Sequence, residues 1–180
     1  MKRIIAILLI VFSASFGFAQ VTKNDSKMTR KEKRDAEIER QYQLTKQMLE
    51  NRNFVLESDF LSDRYGNRYI VSSTINFVEV DSTTAVIQIG SNWGYGPNGV
   101  GGVTAKGKIT KWELTENEKK KTFNVKMNVM TSIGMYDVYF SIGPSGNATA
   151  LLTGIRRGRL TFDGDLVPIE ESYVYEGMSL

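Results

Sequence analysis

The sequence predicts a mainly β protein with one N-terminal α-helix and a single antiparallel sheet of about eight or nine strands. Residues 29–52 show helical periodicity, whereas the residues from 53 onward alternate apolar and polar side chains with period two. The links between alternating segments are short, and parallel strands need long crossovers, so antiparallel pairing is favoured. With one apolar face, such a sheet is expected to curve into a barrel-like or sandwich form.

Residues 1–19 have the three parts of a cleavable signal peptide. Lys2 and Arg3 are followed by an apolar run from Ile4 to Phe12 and by small residues at Gly17 and Ala19. The run is about half the ~20 residues of a membrane-spanning helix. The absence of cysteine excludes lipid attachment through an N-terminal cysteine. We therefore expect a soluble periplasmic or secreted protein that is not lipid-anchored and has no transmembrane segment after cleavage.

Without the signal peptide the chain has about 160 residues, which is the size of one domain. Its composition excludes several classes of partner and of catalytic mechanism. Its formal charge falls from +3 to +1 when Lys2 and Arg3 are removed, so nucleic acid is not an expected partner. It contains neither cysteine nor histidine, which excludes Ser-His-Asp and Cys-His catalysis and the usual zinc sites. We expect a protein that is not an enzyme, with no catalytic residues, no metal site and no cofactor.

Residues 20–28 are polar and are expected to be flexible, and the predicted helix follows over 29–52. Thr29 and Glu32 have the spacing of a capping box. An apolar stripe at helical spacing comprises Ile38, Tyr42, Thr45, Met48 and Leu49. The basic residues near the start of the helix are interpreted as a solvated face rather than as a site for anionic surfaces.

Residues 53–180 are predicted to form one antiparallel β domain together with the helix. Tyr69–Val80 is interpreted as one strand, with Val71, Ser73, Ile75 and Phe77 on the same face and Val80 beyond an irregularity. The apolar phase then slips between Ile109 and Trp112, which predicts a β-bulge near Thr110.

The segment GSNWGYGPNGVGG, residues 90–102, is the most unusual in the chain. Its GxGxxG pattern, starting at Gly94, resembles a dinucleotide fingerprint, but no helix follows to receive a pyrophosphate. One interpretation is a pliant hairpin loop. The other is a binding loop whose aromatic rings contact a sugar ring, an apolar ligand or a partner surface. The candidate ligand-binding residues are Trp93, Gly94, Tyr95, Gly96 and Asn98.

Two clusters of charged residues are candidate functional sites. Asp163 and Asp165 could supply the paired carboxylates of a glycosidase, but they alternate with apolar residues and are expected on a solvated face. Arg156, Arg157 and Arg159 could grip an anion, although a solvated turn between strands is the favoured interpretation.

Three separated segments, NFVLESDFLSDRYGNRYIVSSTINFVEVD, VIQIGSNWGYGPNGVGGVTAKGKIT and GRLTFDGDLVP, resemble the domain of unknown function 4251 family of exported Bacteroidota proteins. The resemblance covers about Thr29 to Leu180. It implies a signal peptide, a helix, a β-rich domain and a location in a Gram-negative envelope. It implies no activity, cofactor or catalytic residue.

Two classes of function remain. The first is an envelope protein that binds a small apolar or glycan ligand, without catalysis, in a concave sheet face or barrel mouth. The alternative is a protein-interaction or structural component of the envelope that uses the helix or exposed strand edges. The expected partner is accordingly an unidentified small molecule or an envelope protein.

Overall fold

A computed structural model describes residues 28–91, 96–154 and 158–180. The predicted signal peptide and almost all of the predicted flexible segment lie outside these residues. Helix α1 (Arg30–Asn51) is followed by nine strands and a short 3-10 helix at Ile169–Glu171. The strands are β1 (Asn53–Ser62), β2 (Arg68–Ile70), β3 (Phe77–Asp81), β4 (Thr84–Ile89), β5 (Val103–Asn117), β6 (Thr122–Thr131), β7 (Gly134–Ile142), β8 (Asn147–Gly154) and β9 (Arg159–Val167).

The sheet closes into a barrel. From β3 to β9 each strand pairs antiparallel with the next, and β1 pairs with both β3 and β9, which completes a ring of eight strands. The remaining strand, β2, is not part of this ring and pairs with the C-terminal end of β1. The prediction of a mainly β fold with one helix and a curved antiparallel sheet is confirmed, and closure selects the barrel over the sandwich.

The predicted single strand over Tyr69–Val80 is wrong. Residues 71–76 leave the sheet, and the backbone N–H of Ile75 donates to the carbonyl of Ser72 in a turn. The segment SSTIN is polar and turn-forming apart from one isoleucine, so its apparent alternation does not belong to a strand. The break changes the inward face: Val78 and Val80 pack in the barrel core, whereas Phe77 lies in a separate cluster outside it.

The core follows the predicted alternation on most strands. Phe54 contacts Phe140 edge-on, with the ring centroids 5.6 Å apart. The register of β5 against β6 shifts between Ile109 and Lys111, which confirms the predicted bulge. The bulge restores the apolar side of β5 to the interior, so that Trp112 and Leu114 pack against the core.

Helix α1 closes one end of the barrel. Its capping box is present: the Thr29 N–H donates to Glu32 at 2.7 Å, and the Glu32 N–H donates to the Thr29 hydroxyl at 3.2 Å. Tyr42 stacks on Phe123 at 5.3 Å between ring centroids, beside the β5–β6 hairpin. Lys46 pairs with Glu116 of the same hairpin at 2.9 Å. Among the described residues, no helix has the length and apolar character to cross a bilayer.

The C-terminal segment runs along the outside of the barrel. Ile169 and Val174 pack against a small cluster of Val55, Phe77 and Val86 on the outer wall. Residues 172–180, here named the strap, continue past β4 and β5, where the N–H of Leu180 donates to the carbonyl of Thr104 at 3.2 Å.

Candidate binding site at the open end of the barrel

The barrel end opposite α1, here named the mouth, carries two adjacent clefts. The first, about 540 Å³, lies between the β6–β7 turn and the adjoining ends of β8 and β9. The second, about 420 Å³, lies between the loop over residues 71–76 and the end of β4. Leu160 lines both, and the clefts meet at the consecutive residues Ile89 and Gly90. Each volume falls within the range typical of small-molecule sites, about 300–1,000 Å³.

The wall of the first cleft is an extension of the barrel core. Tyr136, Leu152 and Leu160 are inward-facing residues at the mouth ends of β7, β8 and β9, and all contact the core cluster. Ile89 of β4 also contacts the core cluster and lines this cleft. At the opposite end α1 covers the corresponding strand ends. The mouth therefore presents apolar side chains that no described element covers completely.

The second cleft contains polar groups, but these are occupied by structural hydrogen bonds. Asp63 accepts from the side-chain amide of Asn67 at 2.8 Å and from the N–H of Tyr65 at 2.8 Å. The Asn67 side chain is the main reason why the pKa of Asp63 lies below its usual value. Asn76 donates to the carbonyl of Ser72 at 3.0 Å and accepts from the N–H of Gly90 at 2.9 Å.

The buried side chain of Asn98 holds the described part of the glycine-rich loop in place by hydrogen bonds. Its side chain is 1% exposed. The Nδ2 group donates to the carbonyl of Ile89 at 3.2 Å and to the hydroxyl of Thr104 at 3.1 Å. Oδ1 accepts from the N–H groups of Val100 and Gly102 at 3.1 and 2.9 Å. The amide is thus fully used in holding residues 96–102 against β4 and β5.

Gln88 links the same loop to the strap. It is 0% exposed and lies on the outer side of β4, beneath the C-terminal segment. Its Oε1 accepts from the hydroxyl of Thr104 at 2.8 Å and from the N–H of Gly177 at 2.7 Å. Its Nε2 donates to the carbonyls of Tyr175 and Ile75 at 2.8 and 3.2 Å. One buried amide therefore connects the strap, β5 and the loop over 71–76, and Thr104 extends the connection to Asn98 of the glycine-rich loop.

The sequence-predicted site residues divide into two groups. Trp93, Gly94 and Tyr95 lie outside the described residues. Gly96 and Asn98 are described, and a Cβ on Gly96 would lie 2.1 Å from the backbone nitrogen of Gly102, so no larger residue fits there. Four residues connect Gly96 to Ser91, which lines the second cleft.

Sequence reasoning missed Asn76, Gln88 and Thr104. Gln88 lies between Ile87 and Ile89 in the strand. The alternation of side chains therefore places Gln88 on the face that would ordinarily be exposed to solvent. Nothing local shows that the strap covers it, because its partners Tyr175 and Gly177 are far away in the chain. A polar residue within the otherwise apolar run AVIQI was the one available signal.

The described members of the two charged clusters do not belong to the buried core. Asp163 is on the outer wall, where it accepts from the Thr149 hydroxyl at 2.8 Å and lies 3.9 Å from the Arg68 guanidinium. Arg159 opens β9 and lines the first cleft, whereas Arg156 and Arg157 lie outside the described residues. Over residues 28–91, 96–154 and 158–180, no three acidic side chains are grouped to hold a metal ion.

Comparison with known proteins gives one family. The sequence model of a domain of unknown function, DUF4251, matches residues 19–166. A crystal structure of a DUF4251 family protein from Bacteroides eggerthii superimposes with a TM-score of 0.62 at 25% identity, over 73% of this chain and 90% of that one. No curated protein matches the chain. The match extends from before α1 to within β9, and the chain therefore belongs to the DUF4251 family.

Proposed function

We propose that this protein binds a small apolar ligand at the mouth of its barrel, without catalysing a reaction. The observation that carries the proposal is that Leu152, which is 8% exposed, and the partly buried Tyr136 and Leu160 continue the barrel interior into an open cleft of about 540 Å³. Apolar surface left in a concave site is typical of ligand pockets. Trp93 and Tyr95 are proposed to contribute from the loop that follows Ser91.

An apolar ligand is favoured over a glycan by the chemistry of the walls. Sugar hydroxyls need free donors and acceptors, because a buried polar group without a partner costs about 1–3 kcal/mol. In the second cleft the side chains of Asp63 and Asn76 are already hydrogen-bonded within the protein. In the first cleft the described wall consists of apolar side chains and glycines, and its polar side-chain groups are the Arg159 guanidinium and the Tyr136 hydroxyl.

The alternative, a protein-interaction or structural role, has less support in the described residues. The large hydrophobic side chains exposed there include none within α1, so that helix offers no apolar stripe to a partner. Closure of the barrel pairs both sides of eight strands and leaves only the three-residue β2 with a free side. Pairing by strand addition needs such an edge.

Leu160→Gln tests the proposal, because Leu160 lines both clefts and is only partly buried. Leu114→Gln is the matched control: Leu114 is also partly buried against the core, on β5, but lines neither cleft. Binding is measured by fluorescence titration with the neutral apolar dye N-phenylnaphthylamine. Loss of about 1–1.5 kcal/mol of apolar contact predicts roughly tenfold weaker binding by Leu160→Gln.

The control variant is expected to bind the dye as the unaltered protein does. Equal affinity in all three proteins, or no binding by the unaltered protein, would contradict a site at the mouth. Thermal unfolding of both variants establishes that each is folded at the temperature of the titration.

We also propose that the chain is exported to the periplasm or beyond and loses residues 1–19. The support is the sequence of that segment, with its basic start, apolar run and small residues before Gln20. Mass spectrometry of protein from its own host is expected to find Gln20 at the N-terminus. A chain that retains Met1 would contradict this.

A further inference from the structure

Among the residues that the structure describes, the wall of the first cleft has one charged residue, Arg159. Arg159 is the first residue of β9, pairs in register with Thr153 of β8, and adjoins Leu160 at the centre of the mouth. Its side chain is exposed, and it forms no ion pair or hydrogen bond with any residue that the structure describes. Two other basic residues differ: Lys46 of α1 and Lys106 of β5 each pair with a glutamate.

The cleft offers this guanidinium no acidic partner. Apart from the Tyr136 hydroxyl, the rest of its described wall is composed of apolar side chains and glycines, with no aspartate or glutamate among the described residues. A cation beside an apolar cavity is complementary to a ligand that has an apolar part and an anionic part. Resting on the function proposed above, we infer that the first cleft takes an amphipathic anion, with its apolar chain in the cleft and its head group at Arg159.

The position of Arg159 makes this arrangement energetically reasonable. Burying an unpaired charge is costly, whereas a head group at the exposed rim stays hydrated while the chain leaves water against Tyr136, Leu152 and Leu160. The planar guanidinium can donate two parallel hydrogen bonds to a carboxylate or to a phosphate. The shared chemistry of these head groups is therefore an oxyanion at the end of an apolar chain.

The test compares ligands that differ only in the head group. Dodecanoate, dodecyl phosphate and neutral dodecanol are titrated below their aggregation concentrations into the full chain by isothermal calorimetry. The proteins are the unaltered chain, Arg159→Gln, Arg159→Lys and Lys108→Gln. Lys108 is an exposed cation on the outer side of β5 that lines neither cleft, so its variant controls for the loss of one positive charge.

One charge-assisted hydrogen-bonding contact at an exposed rim predicts that the unaltered protein binds an anion about tenfold more tightly than dodecanol. Arg159→Gln is expected to remove that preference, because it weakens the binding of both anions much more than that of dodecanol. Arg159→Lys should retain part of it, because a single ammonium lacks the planar fork. Lys108→Gln should retain all of it. A preference for dodecanoate over dodecyl phosphate, or the reverse, identifies which oxyanion is taken.

Two results overturn the inference, and they are distinguishable. Equal binding of dodecanol and both anions, or a preference that survives Arg159→Gln, refutes the role of Arg159 while leaving an apolar site at the mouth. Failure of all three ligands to bind refutes the proposed function as well.

Discussion

Asn98→Ala tests whether the buried amide holds the glycine-rich loop in place. The substitution removes four hydrogen bonds of 2.9 to 3.2 Å. Thr104 keeps its bond to Gln88, and water can reach part of the loop, so the four losses are not additive. The unpaired N–H groups of Val100 and Gly102 dominate, and at about 1 kcal/mol each they predict a free energy of unfolding lower by about 2 kcal/mol.

Urea unfolding measures that change, and hydrogen exchange locates it. In Asn98→Ala the amides of Val100 and Gly102 are expected to lose protection. Asn98→Asp retains an acceptor for both and should keep them protected, although its carboxylate faces the carbonyl of Ile89 and lowers stability. Asn51→Ala, which changes an exposed asparagine at the end of α1, is the control and should stay within about 0.5 kcal/mol. An Asn98→Ala protein with unchanged stability and protected amides would refute the reasoning.

Two further predictions concern the binding loop and the outer wall. Trp93→Ala combined with Tyr95→Ala should abolish binding of the apolar dye, whereas Tyr173→Ala, on the strap, should not; unchanged binding by the double variant would remove the loop from the site. Burial is the main cause that raises the pKa of Glu79, and the nearby Glu176 and Asp81 raise it further. Lys106 lowers this pKa, but by less than the other effects together raise it. Ionisation of Glu79 is therefore harder in the folded chain than in the unfolded one, and its contribution to stability is present at low pH and lost as the pH rises through its raised pKa. Urea unfolding across the glutamate titration range should show Glu79→Gln becoming more stable relative to the unaltered protein as the pH rises, and a constant difference would refute this.

Local features of the fold were predictable because they depend on neighbouring residues. The capping box needs only Thr29 and Glu32, and the bulge at Thr110 is visible as a change of phase within one strand. The error over Tyr69–Val80 has the same origin. Apolar residues at Val71, Ile75 and Phe77 mimic a strand, and only the pairing of β1 with both β2 and β3 shows that the chain leaves the sheet between them.

The candidate site was predictable only in part. The sequence indicated a glycine-rich loop with two aromatic residues and named Asn98 as a contact for ligand, whereas in the structure the Asn98 amide is satisfied inside the loop. The apolar wall at Tyr136, Leu152 and Leu160 was visible as three strand faces. That they converge at an uncovered end depends on which end α1 closes, and no local pattern encodes this.

The sequence by itself determined the helix, the antiparallel strands, the family and the absence of histidine and cysteine chemistry. These properties follow from composition, motif and short-range periodicity. Only the tertiary structure decided that the sheet closes, because closure depends on pairing Val55 with Val167, near opposite ends of the described chain. The same long-range contacts bury Gln88 beneath the strap and leave the mouth open. Which apolar residues become core and which line the open clefts is therefore a property of the closed barrel.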